Sequence, residues 1–184
     1  MNGDPTSTID ALLLEKARKI RLLALDVDGV LTDGNLYYDQ SGNELKAFFT
    51  RDGLGIKALQ RFGIRVALLS GRSSPIVIRR AQELGIDLLY QGCSDKLDAF
   101  KDLLGKTGVA AEEVCYAGDD WIDIPVLERA GLSVSVADAD AVVKRRVHWV
   151  TEHAGGKGAV REICDLILLA QGFDQALLQE LIAS

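Results

Sequence analysis

Four short stretches of the chain carry side chains suited to chemistry at phosphorus. In LLALDVDGVLTDG (residues 22–34), Asp26 and Asp28 stand two apart. That spacing sends both carboxylates to the same side of an extended chain. Like charges so close repel unless a cation lies between them or one keeps its proton, so the pair is poor core material and good material for a metal or acid/base site. LLSGR brings Ser70, Gly71 and Arg72, QGCSDK brings Lys96, and GDDWID brings Asp119, Asp120 and Asp123. One carboxylate can attack phosphorus and split hydrolysis into two easier steps. A second can protonate the leaving oxygen and then deprotonate the attacking water. A hydroxyl and a lysine can offset charge developing on the phosphoryl oxygens, and several carboxylates can hold Mg²⁺, a hard cation that shares its oxygen shell with phosphate. Asp26, Asp28, Ser70 and Lys96 cover the catalytic roles, and Asp119 is the natural further metal ligand. No motif surrounds His148 or His153, which disfavours a histidine nucleophile.

These residues meet only if the elements beneath them belong to one sheet. Apolar runs predict strands at 21–26, 64–70, 87–91, 113–118, 132–136 and 148–151, and helical patterns fall near 53–62, 73–84, 95–107, 121–130, 138–145 and 157–171. The alternation predicts an α/β fold, a doubly wound parallel sheet with helices on both faces. The first, second, fourth and fifth strands are nearly continuous in apolar residues, as strands covered on both sides must be. In such a sheet ligands bind beyond the carboxyl ends of the strands, and the first four strands each end at one of the four polar stretches. That convergence is stronger evidence than any single stretch.

One segment breaks the alternation. NLYYDQSGNELKAFFT (35–50) reads as a β-hairpin turning at DQSGN, directly after the Asp-rich turn. It is either a flap over the mouth of the sheet or an extension that packs on another subunit, and the two are compatible. Residues 1–8 read as a disordered tail, and a short amphipathic helix follows. The whole of 1–184 is expected to form one domain. The tail at 172–184 carries Phe173, Leu177, Leu178, Leu181 and Ile182 beyond the last core helix.

Composition narrows the partners. The 184 residues are 48% hydrophobic and 26% charged with a net charge of -6, an acidic balance that argues against nucleic acid and anionic membranes. No apolar stretch is long enough to span a bilayer, and the N-terminus lacks signal-peptide order, so a cytoplasmic protein is expected. Cys93, Cys115 and Cys164 have no metal-type spacing and read as reduced packing thiols.

In order and spacing, DVDGVLTD, LLSGR, Lys96 and GDDWID resemble the four motifs of the haloacid dehalogenase superfamily of phosphatases. The resemblance covers about residues 20–172. It implies that Asp26 is the nucleophile and Asp28 the general acid/base. It also implies Mg²⁺ held by Asp26, the Asp28 carbonyl and Asp119, with Asp120 or Asp123 supporting from behind. The connections leave no room for a cap domain, as in the capless subclass. TDGNLYYDQSGNELKAFFTRDGLGIKAL, SGRSSPIVIRRAQELGI, AGDDWIDIPVLERAGLSVSVADA and GGKGAVREICDLILLAQG are further similar to phosphatases of an eight-carbon sugar-acid phosphate in lipopolysaccharide synthesis. That similarity implies a homotetramer whose hairpins join into a barrel, with active sites completed by neighbours and reached by the C-terminal tail. A nine-carbon sugar-acid 9-phosphate, of the sialic acid type, is the alternative substrate. A phospho-acceptor signalling module is the alternative class, although Asp28 argues for turnover.

Several residues keep two readings. Gly71 and Arg72 either contact substrate or cap the next helix, and Arg80 is either a surface residue or a partner for the sugar carboxylate. Asp52 reads as a helix N-cap, Asp33 as a turn former, Trp121 and Ile122 as packing, and GGKG (155–158) as a flexible join into the last helix.

Overall fold

The computed structural model describes residues 10–183. Its centre is a six-stranded, all-parallel sheet: β1 (Leu22–Leu25), β4 (Arg65–Leu69), β5 (Leu88–Tyr90), β6 (Val114–Ala117), β7 (Leu132–Ser135) and β8 (Trp149–Val150). The strands lie in the order β5-β4-β1-β6-β7-β8. From β1 the chain winds outward first through β4 and β5, then crosses back to β6 and continues to the other edge. The carboxyl end of β1 is therefore the switch point, where adjacent loops part and leave a crevice.

The period-two alternation of β1 divides the core. Leu23 and Leu25 join one apolar cluster, Leu22 and Ala24 the other. On the first face lie α1 (Ala11–Arg18), α2 (Thr50–Arg61), α3 (Pro75–Leu84) and α7 (Ala159–Ala170), contributing Leu14, Ile56, Leu59, Val77, Ile163 and Ile167. On the second lie α4 (Lys96–Thr107), α5 (Ile124–Leu127) and α6 (Ala141–Lys144), contributing Phe100, Leu103, Leu127 and Val143. Burial on both faces explains the unbroken apolar runs.

The hairpin is shorter than its pattern predicts: only β2 (Tyr37–Tyr38) and β3 (Glu44–Leu45) pair, antiparallel. Asp39 shapes its turn by accepting from the Ser41 and Asn43 amides at 2.8 Å each. Asp33 also behaves as a turn former, accepting from the Asn35 amide at 3.1 Å.

Two expectations are corrected here. Asp52 does not cap its own helix: it lies inside the first turn of α2 and is only 1% exposed. Its Oδ1 accepts from the Arg161 amide at 2.8 Å, so it caps the N-terminus of α7 from the neighbouring helix, where free amides need acceptors. Burial raises its pKa, opposed by those backbone donors. GGKG is no flexible join, since Gly155 donates to Asp138 at 2.9 Å and Gly156 to the Val30 carbonyl at 3.0 Å. The C-terminal segment forms α8 (Asp174–Ala183) and makes contacts with its own chain. Phe173 stacks on Phe62 with ring centroids 4.6 Å apart, and Glu180 pairs with Arg61 at 2.5 Å. The expected tail at 1–8 lies outside the described residues. No helix among the described residues is long and apolar enough to cross a membrane.

Candidate active site

Each chemical group is delivered by a strand end or the turn after it. The ladder of β1 continues one step, with the Asp26 amide donating to the Ala117 carbonyl at 2.9 Å. The chain then coils through a tight turn in which the Leu31 and Thr32 amides both donate to the Val27 carbonyl at 3.0 Å. Gly29 sits in that turn at φ +97°, and a Cβ there would lie 2.1 Å from Asp119 Oδ2. Only glycine allows both the backbone and the approach. Ser70 follows β4, is 1% exposed, and its Oγ accepts from the Arg72 amide at 3.2 Å. Asp95 caps α4 by accepting from the Leu97 amide at 2.7 Å, which sets Lys96 at the first helical position with its side chain buried.

Lys96 organises the floor. Its Nζ lies 2.7 Å from Asp26 Oδ1 and 2.7 Å from Asp123 Oδ1. Asp123 is fully buried; Tyr116 donates to its Oδ1 at 2.5 Å, and the Asp119 and Asp120 amides donate to its Oδ2 at 3.1 and 3.2 Å. Asp123 thus holds the loop that presents Asp119. Asp120 instead caps the following turn at the surface, accepting from the Trp121 amide at 2.7 Å.

Carboxylate oxygens of Asp26, Asp119 and Asp123 all lie within 4.8 Å of one another. Two buried acids and a half-buried third face one buried ammonium, and the imbalance appears in their pKa values. Burial, then the charge of Asp123, pushes Asp26 up to about 6 against the pull of Lys96. Burial, then Asp26 and Asp123, pushes Asp119 up to about 8. Burial works against the charge of Lys96, yet the two aspartates outweigh it and raise its pKa. Asp119 Oδ1 is buried without a hydrogen-bond partner. An orphaned oxygen among mutually repelling carboxylates fits a hard divalent cation with oxygen ligands.

Asp28 stands apart from this cluster, at the mouth. Its carboxylate pairs with Lys46 of the hairpin, a residue the sequence reading missed. The signal for it was the alternation in NELKAF, which puts Glu44, Lys46 and Phe48 on one side of the strand. Glu44 binds Arg72 Nη2 at 2.7 Å and accepts from Ser74 Oγ at 2.9 Å, tying the hairpin to the loop after β4. The resulting cleft of about 280 Å³ is lined by Asp26, Asp28, Gly71, Arg72, Asp119 and Asp120, with Gly34, Leu36 and Ile122 at its apolar edge. Arg80 does not line it: its guanidinium lies 5.5 Å over the Phe48 ring and 3.4 Å from Glu83. Nor are Trp121 and Ile122 packing residues, being 61% and 56% exposed. They sit on the short turn after β6, where Ile122 edges the cleft.

Comparison with known proteins places this geometry. The chain is 55% identical to 3-deoxy-D-manno-octulosonate 8-phosphate phosphatase KdsC of Escherichia coli strain K12 over 164 residues, 89% of this chain and 87% of that protein. The chain belongs to the 3-deoxy-D-manno-octulosonate 8-phosphate phosphatase family. A haloacid dehalogenase-like hydrolase profile matches residues 89–163, the part holding Lys96, Asp119 and Asp123. Among solved members of the family, the Yersinia pestis phosphatase superposes with a TM-score of 0.87 at 50% identity, covering 89% of this chain and 88% of that one. The Moraxella catarrhalis phosphatase, solved with magnesium ion, phosphate ion and KDO, superposes at 0.88 with 43% identity, covering 91% and 97%. The doubly wound sheet and its hairpin insertion are thus the family's fold.

Proposed function

We propose that this protein is a Mg²⁺-dependent phosphatase that converts 3-deoxy-D-manno-octulosonate 8-phosphate to the free sugar acid and phosphate, in lipopolysaccharide precursor synthesis. The observation that carries the chemistry is Lys96 held 2.7 Å from both Asp26 and Asp123, beside the unpartnered Asp119 oxygen. A nucleophile, a fixed ammonium and a cation site converge there. The substrate comes from the relatives at 55% identity.

Asp26 attacks phosphorus, forming an aspartyl-phosphate as the bond to the sugar oxygen breaks, and the Asp28 carboxyl gives that oxygen its proton. Asp28 then takes a proton from the attacking water as the bond to Asp26 breaks. Asp26, the Asp28 carbonyl and Asp119 would hold Mg²⁺, which would supply positive charge against the phosphoryl oxygens. Lys96 and Ser70 hold those oxygens, and Asp123 keeps Lys96 and the Asp119 backbone in place. Gly71 leaves room for the phosphoryl group and Arg72 faces it from the cleft wall. Arg80, held against Phe48 and Glu83 outside this cleft, is left without a part in the site of its own chain. Asp28 two residues after the nucleophile favours turnover over a lasting phosphoprotein, and so over a signalling module.

The reading extends to a single phosphatase domain over 1–184 that works in the cytoplasm as a homotetramer. Leu36, Tyr37, Tyr38, Leu45, Leu54, Trp121 and Ile122 are all exposed around the hairpin and the cleft, an apolar surface of the kind that marks an interface. Light scattering tests the assembly, and a monomer with full activity refutes shared sites. Phosphate release from a panel of sugar-acid phosphates tests the substrate. The eight-carbon 8-phosphate should turn over fastest, and preference for a nine-carbon 9-phosphate would replace the substrate while keeping the mechanism.

A further inference from the structure

We infer that Lys46 is a positioning residue for the proton transfers of Asp28, an assignment that rests on the phosphatase reading above. The side chain is 1% exposed although it follows a strand of only two residues on the hairpin. An ammonium is withdrawn from water at a cost that only paired charges offset. Its partners are Asp28 Oδ1 and, at 3.5 Å, Glu44 Oε1. Among the described residues, Lys46 is the only hydrogen-bond donor to the Asp28 carboxylate.

The placement follows from the strand period. Glu44 and Lys46 share the inward side of β3 and its continuation, while Leu45 between them is 55% exposed. Glu44 anchors that side to Arg72 and Ser74, which fixes the depth at which Lys46 enters. The hairpin therefore carries an ammonium into the mouth of the cleft and sets it on the acid/base.

A carboxyl group that gives and takes a proton must keep one oxygen turned toward the reaction. With Lys46 occupying Oδ1, the proton resides on Oδ2. As the bond from phosphorus to the sugar oxygen breaks, that proton passes to the sugar oxygen and Asp28 is left as a carboxylate beside the Lys46 charge. As water attacks the aspartyl-phosphate, Asp28 Oδ2 takes a proton from the water and the Asp26 carboxylate is released. Each cycle ends with Asp28 protonated again. Lys46 exchanges no proton; it fixes the rotamer of the group that does and offsets the charge that group acquires.

A plain strut would be needed equally for every substrate. A positioning role shows unequally in kcat/KM, which reports the steps up to departure of the leaving group, because only there do the substrates differ in needing a proton. The later attack by water is common to both. The test compares 3-deoxy-D-manno-octulosonate 8-phosphate with p-nitrophenyl phosphate, whose leaving group departs without protonation. Assisted proton transfer is worth about 10²–10⁴-fold. Lys46→Met should lower kcat/KM on the sugar phosphate by about 100-fold, with a loss in kcat/KM at least about tenfold smaller on the aryl ester. Lys46→Arg, which keeps the charge and its donors, should recover part of the difference. If Lys46→Met does not fold, Lys46→Gln is used in its place, with the same unequal loss at smaller size. Equal losses on both esters in any folded variant, or undiminished sugar-phosphate turnover, overturn the assignment. Wild-type protein inactive on both esters would instead remove the phosphatase reading, which keeps the two failures distinct.

Discussion

Replacing Gly29 by alanine tests how closely the first turn and the cation site are built together. Two effects add at this position. At φ +97° an L-residue pays about 1–2 kcal/mol of backbone strain, which for a chain of this length lowers Tm by about 2–8 °C. The new Cβ would also lie 2.1 Å from Asp119 Oδ2 and 2.5 Å from its Cγ, against ordinary contact beyond 3.4 Å. The carboxylate must retreat by roughly 1 Å, and a misplacement of that size costs about 100-fold in rate. Gly63→Ala separates the two effects, since Gly63 has φ +80° with nothing within 4 Å of its would-be Cβ. Calorimetry and phosphate release should show similar falls in Tm for both variants, and loss of kcat and of Mg²⁺ affinity for Gly29→Ala alone. Near-normal turnover in Gly29→Ala, or an equal loss in Gly63→Ala, would refute the reasoning.

Asp26→Asn should abolish turnover in a folded protein, because an amide matches the carboxylate in size but is a poor nucleophile and ligand; near-normal phosphate release would end the covalent scheme. Chelator should silence the enzyme, Mg²⁺ restore it, and Ca²⁺ inhibit it by preferring longer distances and more ligands. Asp119 held up at about 8 and Asp26 at about 6 both carry protons that a cation must displace. Calorimetric Mg²⁺ affinity should therefore tighten on the order of 100-fold from about pH 6 to about pH 8, and a flat profile would contradict the site's electrostatics. Deleting residues 174–184 removes Leu177 and loosens Phe173, which both pack on the core. The expected cost is about 2–4 kcal/mol of stability with small-ester turnover kept, and an unchanged Tm would mean that α8 does not dock on its own chain.

The strands were legible because parallel strands buried on both faces have to be apolar runs. Their order along the chain, together with the polar residue at each end, was enough to place Asp26, Ser70, Lys96 and Asp119 on one edge. Lys96 was legible as a charge, but not its two carboxylate partners. GDDWID offered Asp120 and Asp123 on equal terms, and only the turn after β6 decides between them, sending Asp123 into the core and Asp120 to the surface. Periodicity describes a segment alone and is silent on which distant segment covers it. Lys46 meets Asp28 across 18 positions because the hairpin folds back by an angle that no local pattern encodes. Asp52 reads as an N-cap because its type and place fit one, and it does cap a helix, but that helix begins more than a hundred residues later and the Asp52–Arg161 separation is 109 positions. Trp121 and Ile122 look like core residues by hydropathy and are exposed in one chain. The sequence by itself determined the residue types, the strand ends and hence the chemistry. The tertiary structure alone decided which charges neutralise one another, since that depends on through-space distance between elements whose approach is set by packing.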